Sequence, residues 1–370
     1  MNFSLSLVRL ARSNRAYFSA IVFLFIVTLT SRVYLDGFVH GLDYGLFFPD
    51  GVHYAYRTLK LLGFDDGEAS GQVASWFTIH GNSNSVIQPT FLADKFNPVF
   101  HIVKFRLLYS ILSIPFVGVL GLIGMIIVPT IVTLGIFLLI GYYGIHTKTK
   151  IVTIFLILVI STSFTFPRWM ISDLSDPLLA GLFFLVIPTL KIHSTKLQYS
   201  ALTLLILLTS MTRLSIPYWI AIGFVLYIQR RRVQALYTSL IGAALAIPVL
   251  GAIFNGSTGE GSANSAEAIS LLARGKNAIE VVVTEIAQLV LMDRLFFLLL
   301  LLGFVISILN ITKIECQLFL AIFLVALAQE IYVGEVGVNL RYQLPAIPIM
   351  LYAIQTNFQL TLNRVLRLAK

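Results

Sequence analysis

Long apolar stretches recur along the whole 370-residue chain and constrain its fold more than any other feature. There are about ten, each of roughly 15–29 residues, and an apolar run of about 20 residues can span a bilayer as a helix. Only 12% of the residues are charged and 58% are hydrophobic, whereas soluble globular proteins carry about 25% charged residues. This composition excludes a soluble enzyme, a nucleic-acid-binding factor and a secreted disulfide scaffold. It predicts an all-α polytopic membrane protein.

The predicted transmembrane helices belong to a single integral membrane domain over residues 1–370. They cover about 16–35, 117–145, 151–166, 174–191, 196–211, 214–228, 234–254, 294–311, 314–332 and 343–358. The stretch 104–116, directly before the second span, is also apolar, so residues 105–145 could form two short helices. The orientation of the remaining spans, however, requires an odd number of membrane crossings within 105–145. We therefore expect 104–116 to be an interfacial or half-inserted helix, broken near Pro115.

The basic residues predict the orientation of these spans. Arg9, Arg12 and Arg15 precede the first span, which places the N-terminus in the cytoplasm by the positive-inside rule. On this topology the other cytoplasmic segments are also basic, for example Arg230 to Arg232, and the C-terminus is cytoplasmic. The net charge of +9 then follows from membrane topology and not from a nucleic-acid partner. We expect a multi-pass protein of a bacterial plasma membrane.

Two long segments lie on the predicted outer face. The first extracytoplasmic loop, 36–106, contains Asp36, Asp43 and Asp50 and the aromatic stretch YGLFFPDGVHYAY. The second, 255–293, opens with a Gly/Ser-rich linker. It then has apolar residues at helical spacing from about Ala266, which predicts an amphipathic helix on the outer membrane surface.

Three short outer turns each contain an arginine followed by a proline that begins the next span. They are FPRWMISDLSDP (166–177), MTRLSIP (211–217) and VGEVGVNLRYQLP (333–345), with Arg168, Arg213 and Arg341. Arginine binds phosphate in bidentate fashion and keeps its charge. The pattern is typical of an enzyme that takes a phosphate-linked donor at the membrane boundary. Asp173 and Asp176 could bind acceptor hydroxyls, but capping of the helix that starts near Pro177 is the favoured interpretation.

Three segments resemble motifs of the GT-C superfamily of integral-membrane glycosyltransferases. They are FPDGVHYAYRTLKLLG (48–63), FRLLYSILSIPF (105–116) and NLRYQLPAIPIML (339–351). The resemblance implies a GT-C-like fold whose long first extracytoplasmic loop carries short interfacial helices. It also implies that Asp50 is the catalytic aspartate, with Tyr54 as its neighbour, and that Arg341 binds the donor phosphate. The chain has Gly51 where the family often has a second acid.

The function implied by this resemblance is hexosyl or pentosyl transfer, with inversion, on the outer face. The donor is a polyprenyl-phosphate sugar, and the acceptor is a hydroxyl of a glycan, lipid or protein. From the arginines of the outer turns we expect Arg213 and Arg168 to be further phosphate ligands. We expect the substrates to be bordered by His53, Tyr54, Asp36, Asp43 and Tyr342. The sequence specifies no cofactor, and the dispersed outer carboxylates permit a divalent-metal site without defining one.

Each of these roles has a structural alternative. Asp50 lies in a Pro-Asp-Gly sequence that is common in turns, and the arginines could anchor helix ends at the interface. His53 could be an ordinary interfacial residue. At the level of function, the alternatives are a transporter or flippase of lipid-linked glycans and a non-catalytic membrane partner. A transporter is expected to show internal repeats and mid-membrane polar segments, and no clear repeat is found in the sequence.

Overall fold

The computed structural model describes residues 13–32, 51–80, 106–172, 174–213, 215–256, 271–333 and 341–368. Every regular element in these ranges is helical, which confirms the all-α class. The α-helices are α1 Arg15–Thr30, α2 Gly51–Leu61, α3 Asp66–His80, α4 Leu107–Leu120, α5 Ile127–His146, α6 Lys150–Thr162, α7 Thr165–Met170, α8 Asp176–Phe184, α9 Val186–Leu190, α10 Thr195–Ser210, α11 Ile216–Ile228, α12 Arg232–Gly256, α13 Leu271–Met292, α14 Arg294–Leu309, α15 Ile314–Val333 and α16 Ile347–Leu368. Two 3₁₀ turns, Gly121–Ile126 and Leu344–Ala346, precede α5 and α16.

A helix is present within every span predicted from the sequence. Two segments, Leu107–His146 and Ile314–Ile331, are long and apolar enough to cross a membrane, judged by length and composition. Five further apolar helices are shorter: Arg15–Thr30, Lys150–Thr162, Asp176–Leu190, Ile216–Ile228 and Arg294–Leu309. The number of crossings stays a prediction. The helix expected from about Ala266 is observed as α13, and its first five predicted residues lie outside the described ranges.

The segment Leu107–His146 is not one straight helix. α4 continues through Pro115 and ends at Leu120. The next residue, Gly121, has a φ of +67°, a conformation that side-chain-bearing residues rarely adopt. The 3₁₀ turn then folds back against α4. A Cβ on Gly124 would lie within 3.0 Å of the Phe116 backbone, so only glycine permits this approach. The break predicted near Pro115 is therefore wrong: it lies at Gly121, because a positive φ interrupts the helix where the proline does not.

Hydrogen bonds gather the helix ends into two groups at opposite ends of the bundle. At one end, Lys150 Nζ donates to Asn14 Oδ1 at 2.6 Å, and Gln229 Nε2 donates to the Thr312 carbonyl oxygen at 3.0 Å. Arg231 Nη1 contacts the carbonyl of Leu190 at the same end. The other end holds the N-termini of α8 and α11 and the turn before α16. We call this second end the arginine end, because Arg106, Arg213 and Arg341 lie there.

Polar side chains join four helices around Gly144 of α5. Tyr17 of α1 donates its hydroxyl to the Gly141 carbonyl oxygen at 3.1 Å. Gln355 of α16 donates to the Ile140 carbonyl oxygen at 3.0 Å and to Thr153 Oγ1 of α6. Because Gly144 has no side chain, these three groups can meet over its Cα.

Asp293, between α13 and α14, connects two helix starts at the arginine end. It is buried, and its carboxylate accepts from the backbone N–H of Phe296 at 3.3 Å and of Thr165 at 2.9 Å. The first bond caps α14, and the second satisfies the first N–H of α7. One carboxylate therefore ties the turn that carries Arg168 to the end of α13.

Replacing Asp293 by alanine is expected to lower the free energy of unfolding by about 1–2 kcal/mol, since two helix-terminal N–H groups lose their acceptor. Asp293→Asn, which keeps one acceptor oxygen, should lose less. The measurement is thermal unfolding of the detergent-solubilised protein, with Glu280→Ala on the exposed face of α13 as the matched control. Equal midpoints for Asp293→Ala and the control would contradict the double-cap interpretation.

Candidate functional site

A buried carboxylate at the start of α8 holds two arginines from distant parts of the chain. Asp176 Oδ2 accepts from Arg341 Nε at 3.0 Å, and Oδ1 accepts from Arg213 Nη1. The side chain of Asp176 is 3% exposed, and those of Arg213 and Arg341 are each 11% exposed. Arg213 follows α10, and Arg341 precedes the 3₁₀ turn Leu344–Ala346, which packs on α8. Three separate segments thus converge on one carboxylate.

Tyr54 connects this assembly to the first predicted outer loop. Its hydroxyl lies 2.8 Å from Ser175 Oγ, directly before Asp176, and accepts from Arg106 Nη1 at 3.2 Å. Tyr54 is buried on α2 and packs edge-on against Tyr109 of α4. The positive charge of Arg106 also acts on the Asp176 carboxylate. The described parts of the two sequence segments, α2 and the start of α4, therefore meet at the start of α8.

Aromatic rings support the arginines. The Arg213 guanidinium carbon lies 4.4 Å from the centroid of the Tyr342 ring. Arg341 and Arg168 both lie against the ring of Trp169, with guanidinium carbons at 5.6 Å and 5.1 Å from a ring centroid. Such cation–π contacts are strengthened by desolvation and hold the planar guanidinium groups in place.

The described ionisable groups of this assembly carry excess positive charge. Asp176 is in contact with or under the influence of three arginines, 106, 213 and 341. Glu330 is also buried and accepts from Gln343 Nε2, and Arg168 lies beyond Trp169. The three arginines and Asp176 sum to about two positive charges. Including Arg168 and Glu330, which carry one charge of each sign, leaves this sum unchanged. Burial lowers the pKa of the Arg213 guanidinium most strongly, but the Asp176 carboxylate together with the Tyr342 and Tyr218 hydroxyls more than offsets burial, and the pKa lies above its usual value.

An apolar groove runs beside α8. Its volume is about 230 Å³, and it lies between α5 and the α8–α9 segment. On one side it is lined by Val132, Ile136 and Leu139, and on the other by Leu178, Leu182 and Leu185. Leu178 is two residues beyond Asp176, so the groove begins within one helical turn of the carboxylate.

The interpretation of Asp176 as a helix cap is wrong. Ser175 occupies the N-cap position of α8, and no side-chain cap bond is formed there. The Asp176 carboxylate accepts from arginines instead, because the burial of two guanidinium groups requires a counter-ion. The sequence signal was the presence of this acid beside a proline-headed helix at the same end as Arg213 and Arg341.

The structure brings together four of the residues selected from the sequence: Arg213, Arg341, Tyr342 and Tyr54. Arg168 joins them through Trp169. His53 is half-buried on α2, next to Tyr54, and successive helical residues do not face the same direction. Asp36, Asp43, Asp50 and Asp173 lie outside the described residues, although Asp50 immediately precedes the first residue of α2. Sequence reasoning did not select Asp176, Arg106, Ser175 or Trp169 as site residues.

In the part of the chain that the structure describes, no three His, Cys, Asp or Glu side chains are grouped so that they could hold a metal ion. Comparisons with known protein families, curated sequences and solved structures find no match for this chain.

Proposed function

We propose that the chain is a membrane glycosyltransferase that moves a sugar from a polyprenyl-phosphate donor to an acceptor hydroxyl. The observation that carries this proposal is the buried assembly of Arg213 and Arg341 on Asp176. Guanidinium groups held in fixed orientations in a desolvated site suit the recognition of a phosphate group. The excess positive charge of the assembly supports an anionic substrate, and the groove beside α8 supports one with an apolar chain.

The proposal places these helices in a membrane as multiple spans. Its first support is the exposure of large apolar side chains on several helices, including Val119 (82% exposed), Ile151 (86%) and Phe224 (63%). Extended apolar surfaces are unusual on soluble proteins. Its second support is the gathering of the helix ends into two groups, which agrees with the sidedness predicted from basic residues. On this topology the arginine end faces outward, both termini are cytoplasmic, and the bacterial plasma membrane is the proposed location.

In the proposed reaction Asp50 is the general base. The acceptor hydroxyl transfers its proton to the Asp50 carboxylate while its oxygen attacks the anomeric carbon of the donor. The bond between that carbon and the phosphate oxygen breaks, and the electron pair stays on the phosphate. Arg341 and Arg213 stabilise the charge that develops there, since preorganised charged donors act most strongly in a desolvated site. Attack from the face opposite the phosphate inverts the anomeric configuration.

The test uses the full chain in nanodiscs with a panel of labelled polyprenyl-phosphate sugars and follows release of polyprenyl phosphate. We expect Asp50→Asn to lower the rate of release by at least about 100-fold, the lower end of what a general base contributes. The matched control is Glu280→Gln, which removes one exposed carboxylate from α13 and should leave the rate unchanged.

The proposal predicts release by the wild-type chain, with a folded Asp50→Asn variant retaining donor binding. Equal rates for Asp50→Asn and Glu280→Gln would remove Asp50 from the reaction. Movement of an intact donor across the bilayer, without release of polyprenyl phosphate, would show that the protein is a flippase and not a glycosyltransferase.

A further inference from the structure

We propose that the arginine assembly selects phosphate monoester dianions over phosphodiester monoanions, so that the lipid monophosphate product binds more tightly than the sugar-bearing donor. This inference rests on the proposed function for the identity of the two ligands. The selectivity itself follows from the charge and burial of the described residues.

The first observation is the size of the positive excess. Asp176 neutralises one of the three arginines that act on it, 106, 213 and 341. Two further charged residues of the assembly, Arg168 and Glu330, have opposite charges, so including them leaves the net charge of these described side chains unchanged. A diester supplies one negative charge to such a site, whereas a monoester supplies close to two above its second pKa of about 6. The monoester therefore matches the charge of the described groups better, in the state where the proposed base Asp50 has taken up the acceptor proton and carries no charge.

The second observation is that the charges are buried. The side chains of Asp176, Arg213 and Arg341 are 3%, 11% and 11% exposed, and the rings of Trp169 and Tyr342 cover two of the guanidinium groups. Charge interactions are screened less in such surroundings than in water. A difference of one ligand charge therefore has a larger effect on affinity here than it would at an exposed cluster of arginines.

The third observation is that the guanidinium groups are already fixed. Each carboxylate oxygen of Asp176 accepts a hydrogen bond from a different arginine, Oδ1 from Arg213 and Oδ2 from Arg341. The two guanidinium groups are therefore held at opposite oxygens of a single carboxylate. Asp176 acts here as a positioning residue and as a partial counter-ion. It permits the burial of two like charges without cancelling the field that attracts an anion.

The charges of the transfer reaction connect this selectivity to catalysis. The acceptor oxygen forms a bond to the anomeric carbon, and the bond from that carbon to the phosphate oxygen breaks. The donor enters as a monoanion, the electron pair of the broken bond stays on the phosphate, and the acceptor proton moves to the carboxylate base. The leaving lipid phosphate is then a dianion. A site that favours two charges stabilises this change, and it also retains the product.

The test measures the binding of farnesyl monophosphate and of its methyl ester, which share one apolar chain and differ by one charge. With the full chain carrying Asp50→Asn, in which the proposed base is neutral as it is after proton transfer, we expect the monoester to bind about tenfold more tightly than the ester in nanodiscs at pH 8. At pH 5 the monoester carries a proton, and the ratio should fall towards one. The described titratable groups around the site are Arg106, Arg168, Arg213, Arg341, Asp176, Glu330, Tyr54, Tyr218, Tyr342 and His53. Both ligands contact these same groups. A change in the protonation of the protein between pH 8 and pH 5 therefore alters both affinities and largely cancels in their ratio.

Arg106→Gln provides the test on the protein side, because it removes one charge without touching the two arginines bound to Asp176. The ratio at pH 8 should fall at least about threefold. Arg232→Gln, which removes an exposed charge at the opposite end of the bundle, should leave it unchanged. If Arg106→Gln fails to fold, Arg168→Gln tests the same expectation.

Equal affinities for the two farnesyl ligands at pH 8 would overturn the inference. An equal loss of ratio in Arg106→Gln and Arg232→Gln would do so as well. Inorganic phosphate that competes at the same concentration as farnesyl monophosphate would show a site for free phosphate and not for a lipid. These binding results are separate from the release assay: turnover with a ratio of one would leave the glycosyltransferase proposal in place.

Discussion

Replacing Asp176 by alanine is expected to lower the free energy of unfolding by about 3–5 kcal/mol. The carboxylate is the direct acceptor for both Arg213 and Arg341; Asp176 is buried, and the two arginine side chains are each only 11% exposed. Without it, two guanidinium groups face each other in a desolvated site, and each also loses a charge-assisted hydrogen bond. Removing one partner of a buried ion pair costs far more than removing an exposed one.

The measurement is the unfolding midpoint of the detergent-solubilised protein, followed by intrinsic tryptophan fluorescence. Glu280→Ala removes an exposed carboxylate and serves as the control, with an expected change below about 0.5 kcal/mol. A triple variant, Asp176→Leu with Arg213→Met and Arg341→Met, should recover most of the loss because it leaves no buried charge. A stability of Asp176→Ala close to that of the control would mean that the carboxylate is not the counter-ion of the two arginines.

A methyl group on Gly144 is expected to destabilise the four-helix junction by about 3 kcal/mol. A Cβ at this position would lie within 3.0 Å of Thr153 Oγ1, the Tyr17 hydroxyl and Gln355 Nε2. These atoms belong to α6, α1 and α16, so no single side chain can move aside to make room. Overpacking then separates the helices and breaks the hydrogen bonds of Gln355, leaving buried polar groups without partners.

Gly135 offers a matched control on the same helix. A Cβ there meets no atom within 4 Å, so Gly135→Ala should be neutral or stabilising by up to about 1 kcal/mol, since alanine favours the helix. Thermal unfolding of the two variants separates steric conflict from the general effect of alanine. Similar midpoints for Gly144→Ala and Gly135→Ala would contradict the close packing at the junction.

Much of the helical architecture could be predicted from the sequence because it is a local property. Apolar stretches such as 151–166 and 294–311 correspond to α6 and α14, with boundaries that differ by a few residues. The exception is the segment Leu107–His146. The sequence predicted a helix break near Pro115, but the helix is interrupted at Gly121. Proline inside a helix removes one hydrogen bond, but a residue with positive φ changes the direction of the chain.

Part of the site could also be predicted, because residue type limits what each position can do. Arg213 and Arg341 stood out as permanent charges between apolar spans, and Tyr54 through the resemblance of its segment to a known motif. Asp176 was named, but its partner could not be chosen. Its contact with Arg341 joins residues 165 positions apart, and neither residue carries any local signal for the other.

Hydropathy and charge act residue by residue, so the helical segments and the charged helix ends could be predicted from the order of the amino acids. Which charged side chains contact one another depends on how the helices pack. The Asp176 assembly, the double cap by Asp293 and the junction at Gly144 each require helices distant in sequence to lie side by side. A buried polar group without a hydrogen-bond partner costs free energy, so such groups are paired in the folded chain. The packing of the helices determines which donor and acceptor groups lie close enough to pair.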